Sequence, residues 1–250
     1  MDIQVKAKSV WLLYFVLCIG IVGGILAYGV VIPLYILGYL WPSAANLADR
    51  VMCRGIRLLM LIQPWFRGDV ELDLPQNGKG CLLVSNHRSH LDAFILLSRV
   101  EGIRILAKSS LFHIPFLWPM MRLSKQIPVK RGNLQSFFQA IDRVEALVSQ
   151  GDTVHVFPEM TRCERGFSGT QSFSIAPFRS AMKGGFDVVP IVIEGTDEVW
   201  PKSTLGLCFR QPVRVRSLKA LDPKKFSSAD ELMRAAREQI QSALLAGTSA

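Results

Sequence analysis

In the segment SNHRSHLDAF, residues 85–94, two groups able to move a proton lie five positions apart, His87 and Asp92. Side chains that meet on one helix face lie three or four apart, so this spacing is poor for a pair within a helix. It becomes a good one with His87 in a loop and Asp92 in the first turn of the helix that follows, Ser89 serving as N-cap. A carboxylate on one imidazole nitrogen fixes the tautomer and leaves the other nitrogen to accept a proton, the logic of a catalytic triad without its serine. HRSHLD also offers His87, His90 and Asp92 as metal ligands, but no fourth ligand lies nearby. His113 and His155 read as a loop histidine and a strand histidine with satisfied hydrogen bonds.

The elements that must position this pair are written in the flanking pattern. From residue 80 onward, β-like runs alternate with helical stretches. CLLVS precedes a helix at 90–99, IRILAK a helix to about 122, and QIPVK a helix at 133–150. TVHVF, a helix near 177–184 and DVVPIVI follow. The helix at 133–150 is the clearest, with Leu134, Phe137, Phe138, Ile141, Val144, Leu147 and Val148 on one stripe. Further strands are expected at 205–209 and 213–217, and a capping box at Ser228 and Glu231 opens the last helix. Alternating units of this kind predict an α/β fold, a mixed sheet flanked by helices.

Upstream, residues 9–48 contain no Asp, Glu, Lys or Arg, which explains the mean hydropathy of +0.28. The run Val10–Leu40 exceeds the roughly 20 helical residues that cross a hydrocarbon layer. Gly20, Gly23, Gly24, Gly29 and Pro33 interrupt it, so it reads as one tilted span or as two short helices entering and leaving one leaflet. A cleaved signal peptide would suit Lys6 and Lys8, yet the run is long for one and ends in no clean cleavage site. LADRVMCRGIRLLMLIQPWF, residues 47–66, reads as a basic amphipathic helix at the interface, with Trp41 and Trp65 beside it. The chain therefore divides into an N-terminal hydrophobic membrane-anchoring segment, residues 1–66, and a catalytic domain, residues 67–250.

The net charge of +9 favours an acidic partner, whether nucleic acid, an anionic lipid surface or a phosphorylated substrate. Residues 99–131 hold seven Lys or Arg against Glu101 alone. Phe112, Ile114, Phe116, Leu117, Trp118, Met120 and Met121 are interleaved with them, as on a face that receives phosphate headgroups and acyl chains. Nucleic acid is the weakest partner, because aromatic stacking motifs of an RNA reader are absent and the apolar run would stand unexplained. The five cysteines form no C-x-x-C pair and read as small buried hydrophobes in a reducing compartment.

Asn86-His87, four residues and Asp92, followed downstream by Phe-Pro-Glu-x-Thr-Arg at residues 157–162, together resemble the glycerolipid acyltransferases, above all the 1-acylglycerol-3-phosphate acyltransferases. The resemblance covers about residues 80–195. It implies that His87 is the general base for the acceptor hydroxyl, that Asp92 orients it, and that no acyl-enzyme forms. The hydroxyl attacks the thioester of acyl-CoA or acidic acyl carrier protein directly, with no metal and no cofactor. Glu159 and Arg162 would then bind the glycerophosphate of a lysophospholipid acceptor, work that suits a forked guanidinium. Arg131, at the end of QIPVKR, matches another basic position, and Val189 and Pro190 match the closing Val-Pro motif. The implied reaction turns 1-acyl-glycerol 3-phosphate into phosphatidic acid in phospholipid biosynthesis. Its place is the membrane, with the catalytic domain on the cytoplasmic face.

The pattern departs from the family at three places. Met160 replaces the glycine after the motif Glu, Phe173-Ser174-Ile175-Ala176 replaces a Phe-Lys-x-Gly segment, and Trp118 replaces a glycine after the Ile-Pro-Phe-aliphatic run. Losing Lys removes a phosphate partner, so an acyltransferase for a different lysolipid headgroup, or a weakly active lipid-binding homologue, is the alternative.

Overall fold

A computed structural model of the chain describes residues 9–75, 80–114, 117–130, 132–209 and 211–247. Seven strands, β1 (Arg67–Glu71), β2 (Leu82–Ser85), β3 (Arg104–Lys108), β4 (Ile127–Val129), β5 (Val154–Val156), β6 (Val188–Glu194) and β7 (Pro212–Ser217), form one sheet in the order β1-β7-β6-β2-β5-β3-β4. From β6 to β4 neighbouring strands are parallel, whereas β7 is antiparallel to β6 and β1 runs parallel to β7. The expected mixed sheet is thus observed.

The central strands are buried on both faces, which is why they read as unbroken apolar runs. Leu82, Val84, Val154, Val156, Val188 and Val192 face one layer, made by the helices Leu134–Ser149, Ala176–Gly184 and Ala229–Gly247. Cys81, Leu83, Ile105, Val189, Ile191 and Ile193 face the other, packed by Leu91, Ile95 and Leu96 of the helix Leu91–Leu97 and by Met60, Phe15 and Trp65. Each layer follows from the period-two alternation along β2 and β6.

One strand is added to those expected and one is lost. RGDVE forms β1 although its sequence is polar, because it is an edge strand that alternates between exposed and half-buried positions and takes its register from β7, Arg67 opposite Pro212 and Val70 opposite Val215. Residues 205–209, expected as a strand, form none. Ser203 turns the chain into left-handed backbone at φ +65, and the Cys208 N–H then bonds the Val199 carbonyl at 2.8 Å, folding the segment back on itself. The stretch expected as one helix to about 122 is a 3₁₀ turn, Ser109–His113, followed by the helix Trp118–Leu123.

The apolar run folds as one helix, Ser9–Leu37, with π-turns at Ile19–Gly23 and Ala27–Val31. It is long and apolar enough to cross a membrane. A turn leads into the helix Pro42–Leu61, and the two pack together through Val31, Tyr35, Ala48 and Met52. Gly55 permits that approach, since a Cβ there would stand 2.1 Å from Leu26 Cδ2. The second helix buries Ala44, Ala48, Met52, Leu59 and Met60 and exposes Arg50, Arg54, Arg57, Leu58 and Leu61, the amphipathic pattern expected of it.

The first helix does not stand clear of the domain. Phe15 is 2% exposed, with its ring edge-on to Trp65, Phe94 and Trp200 at 5.1, 5.5 and 6.3 Å. At its other end Tyr35 donates to Asp49, a carboxylate that also takes both terminal nitrogens of Arg104 at 2.8 and 2.9 Å. Arg104 further bonds Asp152 at 3.2 Å, and Lys125 reaches the same residue at 3.5 Å. Part of the basic stretch 99–131 is therefore internal scaffolding, not a substrate face.

Candidate active site

In a parallel sheet, the loops that follow the carboxyl ends of the strands gather at one edge, the usual place for a site. Here β2 runs into Asn86 and His87, β5 into Phe157 and Glu159, and β6 into Gly195 and Thr196. Asn86 extends the ladder with its side chain. Its Nδ2 donates to the Ile193 carbonyl at 2.7 Å and its Oδ1 accepts the Ile193 N–H at 2.9 Å, so the loop leaves the sheet at a fixed point.

His87 lies in that loop and Asp92 in the first turn of Leu91–Leu97, the arrangement that the spacing demanded. His87 Nδ1 donates to Asp92 Oδ2 at 2.9 Å. The same oxygen accepts the Arg88 N–H at 2.7 Å and the Ser89 N–H at 2.9 Å, and Asp92 Oδ1 accepts the Thr196 hydroxyl at 2.6 Å. Four donors therefore converge on a carboxylate with 0% exposure, which leaves it no freedom to rotate. The helix start differs slightly from expectation. His90 occupies the N-cap position without a side-chain cap bond, while Ser89 Oγ accepts the Leu91 N–H at 3.3 Å and donates to the Trp200 carbonyl.

The imidazole plane is set by Phe157, whose ring lies on His87 at 3.9 Å and 22°. With Nδ1 committed to Asp92 and one face covered, Nε2 is the nitrogen available to take a proton. Beneath Phe157 lies His155, edge-on at 4.4 Å and fully buried. Its Nε2 pairs with Ser85 Oγ at 2.9 Å, but Nδ1 has no partner, so only half of the expected satisfaction is met. Burial, reinforced by His87, pushes its pKa down to about 3, which keeps it neutral.

The segment after β5 is stitched to this pair. The Cys163 N–H bonds the His87 carbonyl at 2.9 Å, and the Ser174 N–H bonds the Pro158 carbonyl at 2.8 Å. Glu159 is 5% exposed; its Oε2 accepts from the Cys163 thiol at 3.2 Å and Gln171 Nε2 at 3.3 Å, while Oε1 has no partner. Burial raises its pKa against the pull of these donors. Burial together with Glu159 pushes the Cys163 thiol up to about 12, so Cys163 is a hydrogen-bond donor and not a nucleophile. Arg162 is half-buried in the same loop.

Met160 keeps the left-handed conformation that a glycine would adopt freely, at φ +59. For a residue with a Cβ this costs roughly 1–2 kcal/mol. The replacement of the glycine by Met160 therefore appears in the structure as backbone strain.

Loop 164–170 is held from two sides. Arg88 points away from Asp92 and donates to the Phe167 carbonyl at 2.9 Å, the Gly169 carbonyl at 3.4 Å and Asp197 Oδ2 at 3.3 Å. Gln241 and Arg237 of the last helix hold Thr170. Gly195, at φ +79, makes the turn that delivers Thr196 and Asp197, and a Cβ there would stand 2.0 Å from the Pro212 carbonyl oxygen.

The fold thus brings together His87, Asp92 and Glu159, with Arg162 in the loop of Cys163, while Arg131 lies outside the described residues. His90 belongs elsewhere, its ring tilted against Trp200 at 5.1 Å. Sequence reasoning missed Arg88 and Thr196, and it had Phe157 in a motif without its contact on His87. A charged residue inside a strand-to-helix turn was a signal for Arg88; Thr196 had none, being far from Asp92 in the chain.

An acyltransferase family model matches residues 69–194. The chain is 34% identical over 181 residues to a chloroplastic 1-acyl-sn-glycerol-3-phosphate acyltransferase of Brassica napus, covering 72% of this chain and 51% of that protein. The corresponding chloroplastic protein LPAT1 of Arabidopsis thaliana is also 34% identical, over 72% of this chain and 49% of its own. The chain spans about half the length of these curated relatives. Among solved structures, the 1-acyl-sn-glycerophosphate acyltransferase PlsC from Thermotoga maritima shares the fold, with a TM-score of 0.74 at 23% identity over 96% of both chains.

Proposed function

Because this chain belongs to the acyltransferase family, we propose that it is an O-acyltransferase that converts 1-acyl-glycerol 3-phosphate to phosphatidic acid. The observation that carries this reading is the His87–Asp92 contact at 2.9 Å, made to a carboxylate that three further donors hold and leaving Nε2 for the acceptor. In the proposed mechanism Nε2 takes the proton of the acceptor hydroxyl as its oxygen attacks the thioester carbonyl of acyl-CoA or acyl carrier protein. The tetrahedral adduct collapses, the carbon–sulfur bond breaks, and the thiolate recovers the proton from the imidazolium. No cofactor enters. A positioned general base contributes about 10²- to 10⁴-fold, and holding the two substrates together supplies a further, larger part.

Arg162 and Arg131 are assigned to the acceptor phosphate and Glu159 to the glycerol side of the same site, the names of the relatives being the support for that acceptor. Residues 1–66 serve as the anchor and 67–250 as the catalytic unit. The apolar helix Ser9–Leu37 supports association with a membrane. We assign the catalytic domain to its cytoplasmic face, where acyl thioesters are made.

The test is an assay of the full chain in membranes with labelled acyl-CoA and acyl carrier protein against a panel of lysolipids. Lysophosphatidic acid should be the preferred acceptor. Acylation of another lysolipid tenfold faster would overturn the acceptor, and no transfer to any lysolipid would overturn the activity.

A further inference from the structure

Among the described residues, three that carry side chains adopt positive φ, namely Lys125, Met160 and Ser203. Lys125 is tied to Asp152, and Ser203 turns a surface loop. Met160 is different, because its strain sits within the site itself. Its N–H bonds the Phe157 carbonyl at 3.1 Å, closing a turn whose first residue lies flat on His87. The bond from Ser174 to Pro158 holds the turn from the other side, so the strained residue lies in a turn pinned by two backbone bonds.

What the strain sustains is a side chain that the core does not use. Met160 is 39% exposed and belongs to neither large apolar cluster of the sheet. It follows Glu159, whose Oε1 is buried without a partner, and precedes Arg162 by two positions. A flexible thioether among polar groups supplies the one thing they lack, an adaptable apolar contact. Strain retained at a ligand-facing turn points to use by the ligand.

We propose that Met160 is a specificity-determining residue, which packs against the first methylenes of the acyl chain already carried by the acceptor. The inference rests on the acyl-transfer reading and deepens it. The charged residues of the turn hold the headgroup side, and Met160 measures whether a chain is attached to it.

The experiment uses the full chain in detergent–lipid micelles with lysophosphatidic acids of long and very short acyl chain. Met160→Gly and Met160→Ala should each raise the KM for the long-chain acceptor about tenfold, roughly the worth of two methylene contacts. The KM values for the short-chain acceptor and the acyl donor should move much less, kcat should change less than KM, and Met160→Leu should restore the long-chain value. Alanine removes the side chain but keeps the strained backbone, so a purely structural role would show in the glycine variant and not in the alanine one. Long-chain KM values near the unaltered protein's in both variants, or a rise in donor KM instead, would overturn the proposal. Isothermal titration of long-chain lysophosphatidic acid into the same proteins separates the two readings. Failure of the unaltered chain to turn over any lysolipid ends the activity, whereas equal titrated affinities in the unaltered, Met160→Gly and Met160→Ala proteins end the role of Met160.

Discussion

Thr196 donates its hydroxyl hydrogen to Asp92 Oδ1 at 2.6 Å across 104 positions of sequence, so the orientation of the Asp92 carboxylate is set by the turn after β6 as well as by its own helix. Thr196→Val keeps the shape and deletes the bond. Leaving that oxygen short of a donor costs about 1–3 kcal/mol, which should appear as a fall in kcat of roughly tenfold with little change in either KM. His87→Ala should lower kcat by at least about 10²-fold, and Asp92→Asn should also cripple it by favouring the wrong tautomer. Near-normal turnover of His87→Ala would end the mechanism.

Arg162→Ala should raise the acceptor KM about tenfold or more, since a charge-assisted bond to phosphate is worth about 1.5–3 kcal/mol. The acyl-donor KM should move less. Initial rates at varied acceptor and fixed saturating donor check this, and an unchanged acceptor KM would remove Arg162 from the headgroup site.

Arg88 and Asp197 form a buried ion pair, 6% and 3% exposed. Arg88→Met leaves Asp197 without its cation and frees the Phe167 and Gly169 carbonyls, so stability should fall by about 3–5 kcal/mol. Adding Asp197→Leu should recover much of that loss. Denaturant midpoints in detergent measure both, and a double variant no more stable than the single one would mean the carbonyl bonds matter more than the charge.

His155 links stability to pH. Its folded pKa of about 3 lies below the ordinary histidine value near 6.5. Between those values the unfolded chain binds a proton that the folded chain refuses. Its contribution is therefore complete above pH 6.5 and is lost as pH falls toward 3. From pH 7 to pH 5 the loss is about 2 kcal/mol. Ser85→Ala with His155→Val removes the group together with its partner, and should lose less stability than the unaltered protein over that interval by about this amount. Equal losses would show that His155 is not the acid-sensitive group.

How much of this was legible depends on how local each cause is. The strands β2 to β6 are short apolar runs between helical patterns, and His87 and Asp92 announce their geometry through a five-residue spacing across a strand-to-helix turn. β1 was illegible, because a polar edge strand owes its existence to β7, far along the chain. The Thr196 bond was illegible for the same reason. Charge was misleading where it was counted without place. Arg104 adds to a basic stretch that suggests phosphate, yet its guanidinium is spent on Asp49 and Asp152. Met160 was visible as an oddity of sequence; only its φ reveals that the backbone has not changed to suit it.

The ring contacts of Phe15 also bear on the order of assembly. Its partners Trp65, Phe94 and Trp200 emerge from the ribosome after it, the last of them 185 positions later, and β1 must likewise wait for β7, the strand it pairs with. Contacts this distant in sequence close late and slow a fold, because loop entropy is lost before they form. During that interval the apolar surface of Ser9–Leu37 lacks the cover that those rings give it. A bilayer present during synthesis would shelter it, whereas in water the same interval invites aggregation. Trp200 is therefore the late latch that seats Phe15, and the first helix has to wait for it.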